Sequence, residues 1–216
     1  GDSCFGDSVW TVDDDGGADF TSIQDAINAS LNGDEVLVSP GTYTGSGDNV
    51  VDLLGKSIVL HSSGGSGVTF IDGEGMRRAI ICDKGETESM TIDGFTIRNG
   101  NATPYAGWFT VPLHLGGGVL VKDSSPAISN CIFEDNNASD GNGGYGGAVF
   151  TGSNNGNSNL SLVNCYFANN SCDNSGGAVY VYLASCSIVH CVARDNIAGN
   201  GGGLYLDVCD ATLSSS

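Results

Sequence analysis

The feature that most constrains this chain is a repeat in its second half. From Gly116 onward, Gly117-Gly118-Val119, Gly146-Gly147-Ala148, Gly176-Gly177-Ala178 and Gly202-Gly203-Leu204 open successive units, in steps of 29, 30 and 26 residues. A second mark lies inside each unit: Asn130-Cys131-Ile132-Phe133, Asn164-Cys165-Tyr166-Phe167 and His190-Cys191-Val192-Ala193, followed three residues on by Asn136, Asn170 or Asn196. The two marks drift against each other. A solenoid allows this, because loops vary outside the stack while strands keep register inside it. Propeller blades need about 40 residues per repeat, and leucine-rich repeats need a spaced Leu pattern that this chain lacks. A three-faced β-helix coil fits. Coils stacked about 4.8 Å apart place like side chains in columns. Cys131, Cys165 and Cys191 form one column, and Phe133, Phe167 and Ala193 a second. Asn130 and Asn164 form a third, at a bend where Asn tolerates left-handed backbone.

Upstream, short runs rich in β-branched residues read as strands: Glu35-Val36-Leu37-Val38, Ser57-Ile58-Val59-Leu60, Val68-Thr69-Phe70-Ile71, Met90-Thr91-Ile92 and Phe95-Thr96-Ile97. No helical pattern separates them, which excludes a βαβ fold. Before them, Thr21-Ser22-Ile23-Gln24 has the form of a capping box. Phe20, Ile23, Ile27 and Leu31 recur at helical spacing, and Asn32-Gly33 supplies a stop. These signals predict a helix from Thr21 to Leu31 that closes the first coil. The expected fold is an all-β, right-handed parallel β-helix solenoid with a short N-terminal capping helix. It forms one domain over residues 1–216: a cap at 1–34, irregular early coils at 35–115, and the repeats at 116–216. Leu213 aligns with Ile128 and Ile188, so the final unit reads as truncated partway round a coil. An open solenoid end requires cover, from further chain or from copies stacked end to end.

Three segments carry a family resemblance. They are Trp10-Thr11-Val12-Asp13, then 19–27 (Asp-Phe-Thr-Ser-Ile-Gln-Asp-Ala-Ile), then 33–43 (Gly-Asp-Glu-Val-Leu-Val-Ser-Pro-Gly-Thr-Tyr). Together they resemble the opening of pectin-lyase-like β-helix proteins. The Gly-Gly-Ala-Val and Phe-x-x-Asn elements (Phe133 to Asn136, Phe167 to Asn170) resemble the repeats of polymorphic membrane protein-type adhesins. The resemblance implies a fold. Function stays open, since lyases, hydrolases, esterases, epimerases and adhesins share it.

Charge narrows the partners. Seven Lys and Arg stand against 25 Asp and Glu, a formal net charge of -18. Such a chain is a poor ligand for nucleic acid, whose phosphates need a basic face, and for anionic lipid. No apolar run reaches the roughly 20 residues that span a bilayer, so no membrane insertion is expected. Eight Cys, an even number with no C-x-x-C pair, suit an oxidising compartment better than zinc. Sequons at Asn28, Asn101, Asn137, Asn159 and Asn169 are candidate glycosylation sites. The expected location is secreted or cell surface. Cys186 and Cys209 lie at similar distances from their Gly-Gly marks and are the expected disulfide pair.

No catalytic set emerges. A lyase of this fold would draw its base from Lys56, Arg77, Arg78, Lys84, Arg98, Lys122 or Arg194, which are scattered, whereas a polyuronate site gathers positive charge. A hydrolase needs several Asp on neighbouring coils, and Asp13-Asp14-Asp15 is the only run. That run offers a possible Ca2+ loop, although it lacks the alternating EF-hand spacing. His61 and His190 have no partner in sequence. The best candidate surface is the aromatic-rich connection at 101–115, where Tyr105, Trp108, Phe109 and His114 form a possible glycan platform. The expected function is therefore a non-catalytic structural or adhesive module. A polysaccharide-active enzyme and a glycan-binding module are the alternatives.

Overall fold

The computed structural model describes residues 8–106, 111–139, 141, 143–154 and 156–215. It is 46% strand and 3% helix. Three long sheets, each parallel throughout, hold most of the strands. The first has eight: Val9–Val12, Glu35–Val38, Val59–Ser62, Thr91–Asp93, Ala127–Ser129, Asn159–Val163, Ser185–Val189 and Asp210–Ser214. The second has Gly41–Tyr43, Thr69–Asp72, Thr96–Arg98, Ile132–Glu134, Tyr166–Ala168 and Val192–Arg194. The third has Asn49–Asp52, Arg78–Cys82, Val119–Lys122, Val149–Gly152, Val179–Tyr182 and Leu204–Asp207. From the second coil onward the chain visits the three sheets in turn, so each circuit adds one strand to each. That is the topology of a parallel solenoid, and the circuits upstream of Gly116 share the register of those beyond it. Among the described residues, no helix is long and apolar enough to cross a membrane.

Strand period two sends alternate side chains inward, and pairing aligns them in columns. Val36, Leu60, Ile92, Ile128 and Leu162 face one another along the first sheet and are fully buried. In the second sheet Phe133 pairs with Phe167 and Phe167 with Ala193. The two rings stack with centroids 4.7 Å apart and planes 10° apart. Burying each such ring stabilises by about 1.5–3 kcal/mol. Cys131, Cys165 and Cys191 precede equivalent strand positions and join the same core. Asn130, Asn164 and His190 all take positive φ, at 52°, 53° and 53°, as the bend requires.

The glycine marks align differently from the expected units. Val119 pairs with Val149, Val149 with Val179, and Val179 with Leu204. The equivalent glycines are therefore Gly116, Gly146, Gly176 and Gly201, one residue earlier in the first and last units. All four have φ between 56° and 73°, which explains the residue type. In the first three units the glycine that follows lies against the next coil's backbone. A Cβ on Gly147 would sit 2.3 Å from the Gly177 carbonyl oxygen.

The helix is shorter than expected, Ile23–Ala29, and its N-cap is Ser22 rather than Thr21. The Ser22 side chain accepts the Asp25 amide at 3.4 Å, so the neighbouring hydroxyl does the capping. Ser30, at φ -67° and ψ 157°, turns the chain out of the helix. Leu31 consequently leaves the apolar stripe and is 56% exposed. Ile23, Ala26 and Ile27 are buried in the main core, against strands Val9–Val12, Glu35–Val38 and Asn49–Asp52. Lys56 binds the open C-terminal carbonyls of Ile27, Asn28 and Ser30, where positive charge also suits the helix dipole.

The expected Cys186–Cys209 disulfide is not formed, and both thiols are free. Register supplies the reason. Ser185 pairs with Asp210, so Cys209 stands beside Ala184 and is diagonal to Cys186. Diagonal neighbours lie about 7–8 Å apart, beyond the roughly 7 Å limit for a disulfide.

Candidate functional site

The aromatic connection folds back onto the outer face of the third sheet. Pro104–Tyr105, Leu113–Leu115 and Gly144–Tyr145 form a small sheet there, the first pair antiparallel and the second parallel. Beneath it runs an outward column in register: Ile81, Leu120, Phe150, Tyr180 and Tyr205. Tyr105, Tyr145 and Tyr182 pack beside this column. Phe150 and Tyr180 stack at 5.4 Å, as do Tyr180 and Tyr205, while Tyr145 meets Tyr180 at 5.0 Å.

Of the expected glycan residues, Trp108 and Phe109 lie outside the described residues. Tyr105 and His114 are brought close by the pairing of Pro104 with His114 and Tyr105 with Leu113. Tyr105 is half-buried and its hydroxyl donates to Asp83 Oδ2 at 3.1 Å. His114 Nδ1 contacts the Ala102 carbonyl oxygen. The column members Phe150, Tyr180 and Tyr205, with Tyr145, were not singled out from sequence, although a signal existed. Leu120, Phe150, Tyr180 and Tyr205 each stand four residues after the positive-φ glycine of their coil.

This surface is organised for packing. Stacked rings hide their faces from a sugar ring, which needs an open face. Burial, with Asp83 close by, pushes the Tyr105 hydroxyl well above its ordinary pKa. Burial, together with the hydrogen bond to Asp207, does the same at Tyr180, whose hydroxyl donates to Asp207 Oδ2 at 3.1 Å. Both phenols stay protonated at neutral pH and serve as donors, which rules them out as bases there.

The connection is anchored by Arg78, which is 2% exposed. Its Nε donates to the carbonyls of Leu115 (3.1 Å) and Gly116 (3.0 Å), its Nη2 to that of Thr103 (2.9 Å), and its Nη1 to Asn49 Oδ1 (2.9 Å). Burial lowers its pKa to about 10, which leaves it charged at neutral pH. The other six basic residues are likewise engaged. Lys56 caps the helix, Arg77 meets Glu74, Lys84 meets Asp52, and Lys122 meets Asp123. Arg98 binds Asp72 and covers the Phe70 ring, and Arg194 covers the Tyr166 ring. His61 binds Glu35 at 2.7 Å.

The acidic groups divide in two. Asp13, Asp14 and Asp15 each bring a carboxylate oxygen within 4.8 Å of the others. Asp14 accepts the Thr42 amide at 2.9 Å and Asp13 accepts the Asp15 amide at 3.1 Å, so two of the three shape the turn. A second group was not singled out from sequence. Asp72, Glu74 and Asp135 line a cleft of about 450 Å³ with Asn99, Asn101 and Asn137. Burial would raise the Asp72 pKa. Hydrogen bonds from the Glu74 amide, Arg98 and Asn99 outweigh that and hold it below the usual carboxylate value, the wrong direction for a general acid.

Among the sequons, Asn28, Asn159 and Asn169 are exposed. The Asn101 and Asn137 side chains are half-buried, and their amides donate to the Gly75 and Ser139 carbonyls. Comparison with known protein families, with curated proteins and with solved structures returned no match.

Proposed function

We propose that the chain is a right-handed parallel β-helix of the pectin-lyase-like kind, closed at one end by the helix Ile23–Ala29. We propose that it serves as a non-catalytic structural or adhesive module of a secreted or cell-surface protein. The observation that carries this reading is the engagement of six of the seven Lys and Arg with carbonyls or carboxylates, Arg194 alone being largely exposed. A polyuronate-cleaving site needs cationic groups free to gather around substrate, and here six of the seven hold a carbonyl or a carboxylate, which leaves Arg194 with no second free cation beside it. The resemblance of the opening segment supports the fold, and the net charge, even Cys count and sequons support the location.

A glycan-binding reading has one observation in its favour. The cleft of Asn99, Asn101 and Asn137 with Asp72, Glu74 and Asp135 presents amides and carboxylates, the polar groups that fix a neutral sugar. Copies of the chain stacked end to end are the other partner class, since unpaired strand edges are templates for association.

The test is a panel of charged and neutral polysaccharides, assayed for unsaturated product and new reducing ends, beside a glycan array. The module reading expects no product from any substrate. Turnover that survives repurification and falls with an acid substitution in the Asp72 cleft would replace it with the enzyme reading.

A further inference from the structure

Cys165 and Cys191 stand at equivalent positions on adjacent coils, each one residue before the paired Tyr166 and Val192. Parallel neighbours in register are about 4.8 Å apart, inside the usual Cα range of a disulfide, 4.4–6.8 Å. The Cys165 amide donates to Cys191 Sγ at 3.4 Å, so the second sulfur already leans toward the first residue. We propose that Cys165 and Cys191 are a disulfide-forming pair, joined by exchange with a small-molecule disulfide to staple two coils together.

In the isolated 216-residue chain, access sets the order of events. Cys191 is half-buried and lines the cavity at the last coil, with Phe167, Ala178 and Leu213 around it. Cys165 lies behind it at 2% exposure, and Cys131, the next member of the column, is fully sealed. The hydrogen bond from the Cys165 thiol holds the Cys191 thiol below its ordinary pKa, while that bond and burial push Cys165 up. Burial raises Cys131 to about 12. The thiolate is the attacking species, so Cys191 reacts first.

Cys191 loses its proton to solvent, and its sulfur attacks one sulfur of the reagent. The reagent S–S bond breaks, a mixed disulfide forms on Cys191, and one thiolate leaves and takes up a proton. The Cys165 thiol then gives up its proton and attacks Cys191 Sγ. The Sγ–Sγ bond forms as the second reagent thiolate departs and is protonated. Two protein thiols are oxidised and one reagent disulfide is reduced to two thiols.

The test is incubation of the native 216-residue chain with oxidised glutathione, a denaturing quench with alkylating agent, and peptide mapping. A Cys165–Cys191 cross-linked peptide with Cys131 alkylated is expected. The cross-linked chain should melt on the order of 5 °C higher than the reduced chain. Cys191→Ala should abolish the link and leave Cys165 alkylated, whereas Cys186→Ala should leave it intact. A Cys131–Cys165 or Cys186–Cys209 link as the main product, or full alkylation of both Cys165 and Cys191, would overturn the proposal. Mapping of the unaltered chain decides the matter even where a variant folds poorly.

Discussion

Asn136 and Asn170, on adjacent coils, hydrogen-bond to each other inside the fold, with Asn136 Nδ2 donating to Asn170 Oδ1 at 2.9 Å. The same Asn170 oxygen accepts the Asn136 amide, and Asn170 Nδ2 donates to the Phe133 carbonyl and to Asn196 Oδ1. Asn136 and Asn170 are both fully buried, so each coil satisfies polar groups of the next where water cannot. Asn170→Ala strands donors and a carbonyl on both sides. It should cost about 2–4 kcal/mol, the sum of one or two unsatisfied buried groups, as a drop in the urea midpoint. Asn196→Ala, at the half-buried end of the column, should cost less. Equal losses would contradict the ladder account.

Phe167 lies between Phe133 and Ala193 in its column. Phe167→Ala removes a stacked ring and leaves a void, with an expected loss of about 3–5 kcal/mol. Tyr180→Phe, on the outer column, removes only the hydroxyl that reaches Asp207 and should cost about 1 kcal/mol. Chemical denaturation of the two variants gives the comparison directly.

Much of the interior was legible in sequence because interior columns repeat residue type. Cys131, Cys165 and Cys191, the two Phe, and the positive-φ Asn and His each announce a position that tolerates few alternatives. The glycine alignment was harder. Gly116-Gly117-Gly118 offers two registers against Gly146-Gly147, and only strand pairing chooses between them. The helix start was ambiguous for a similar reason, since Thr21 and Ser22 are both competent caps. The outer column changes from Ile81 through Phe150 to Tyr205, so no single residue type marks it. The acidic cleft joins Asp72 to Asp135, 63 positions apart in sequence, and no local pattern could reveal it.

Arg78 ties the connection to the stack through three backbone carbonyls. Arg78→Met leaves those carbonyls without their buried donor, at an expected cost of about 3 kcal/mol. Hydrogen exchange should show faster exchange at Ala102 and Leu115, while Val149 and Val179 keep their protection. Uniform loss of protection would mean that Arg78 supports the whole fold instead.

Asp34 links the first coil to the helix. Its oxygens accept the Ser8 amide, Trp10 Nε1 and the Leu31 amide, at 3.1, 3.0 and 2.8 Å. Burial pushes its pKa up, but these bonds and the Lys56 charge outweigh it, and the folded value lies below the ordinary one. Asp72 is lowered in the same sense. A carboxylate depressed on folding contributes stability above its unfolded pKa, near 4, and loses it as pH falls through the folded value. Stability should therefore be flat from pH 7 to about 5 and fall below about pH 4. Asp34→Asn should flatten that fall, as read from urea midpoints across pH. An unchanged slope would remove Asp34 from the account.

The most direct test of the central claim is a crystal structure of the chain, read for handedness and for two sets of Cα distances. The account predicts a right-handed path with Phe133, Phe167 and Ala193 spaced at about 4.8 Å, and Val119, Val149 and Val179 spaced likewise. A left-handed path, or pairing shifted so that Phe133 no longer faces Phe167, would contradict it.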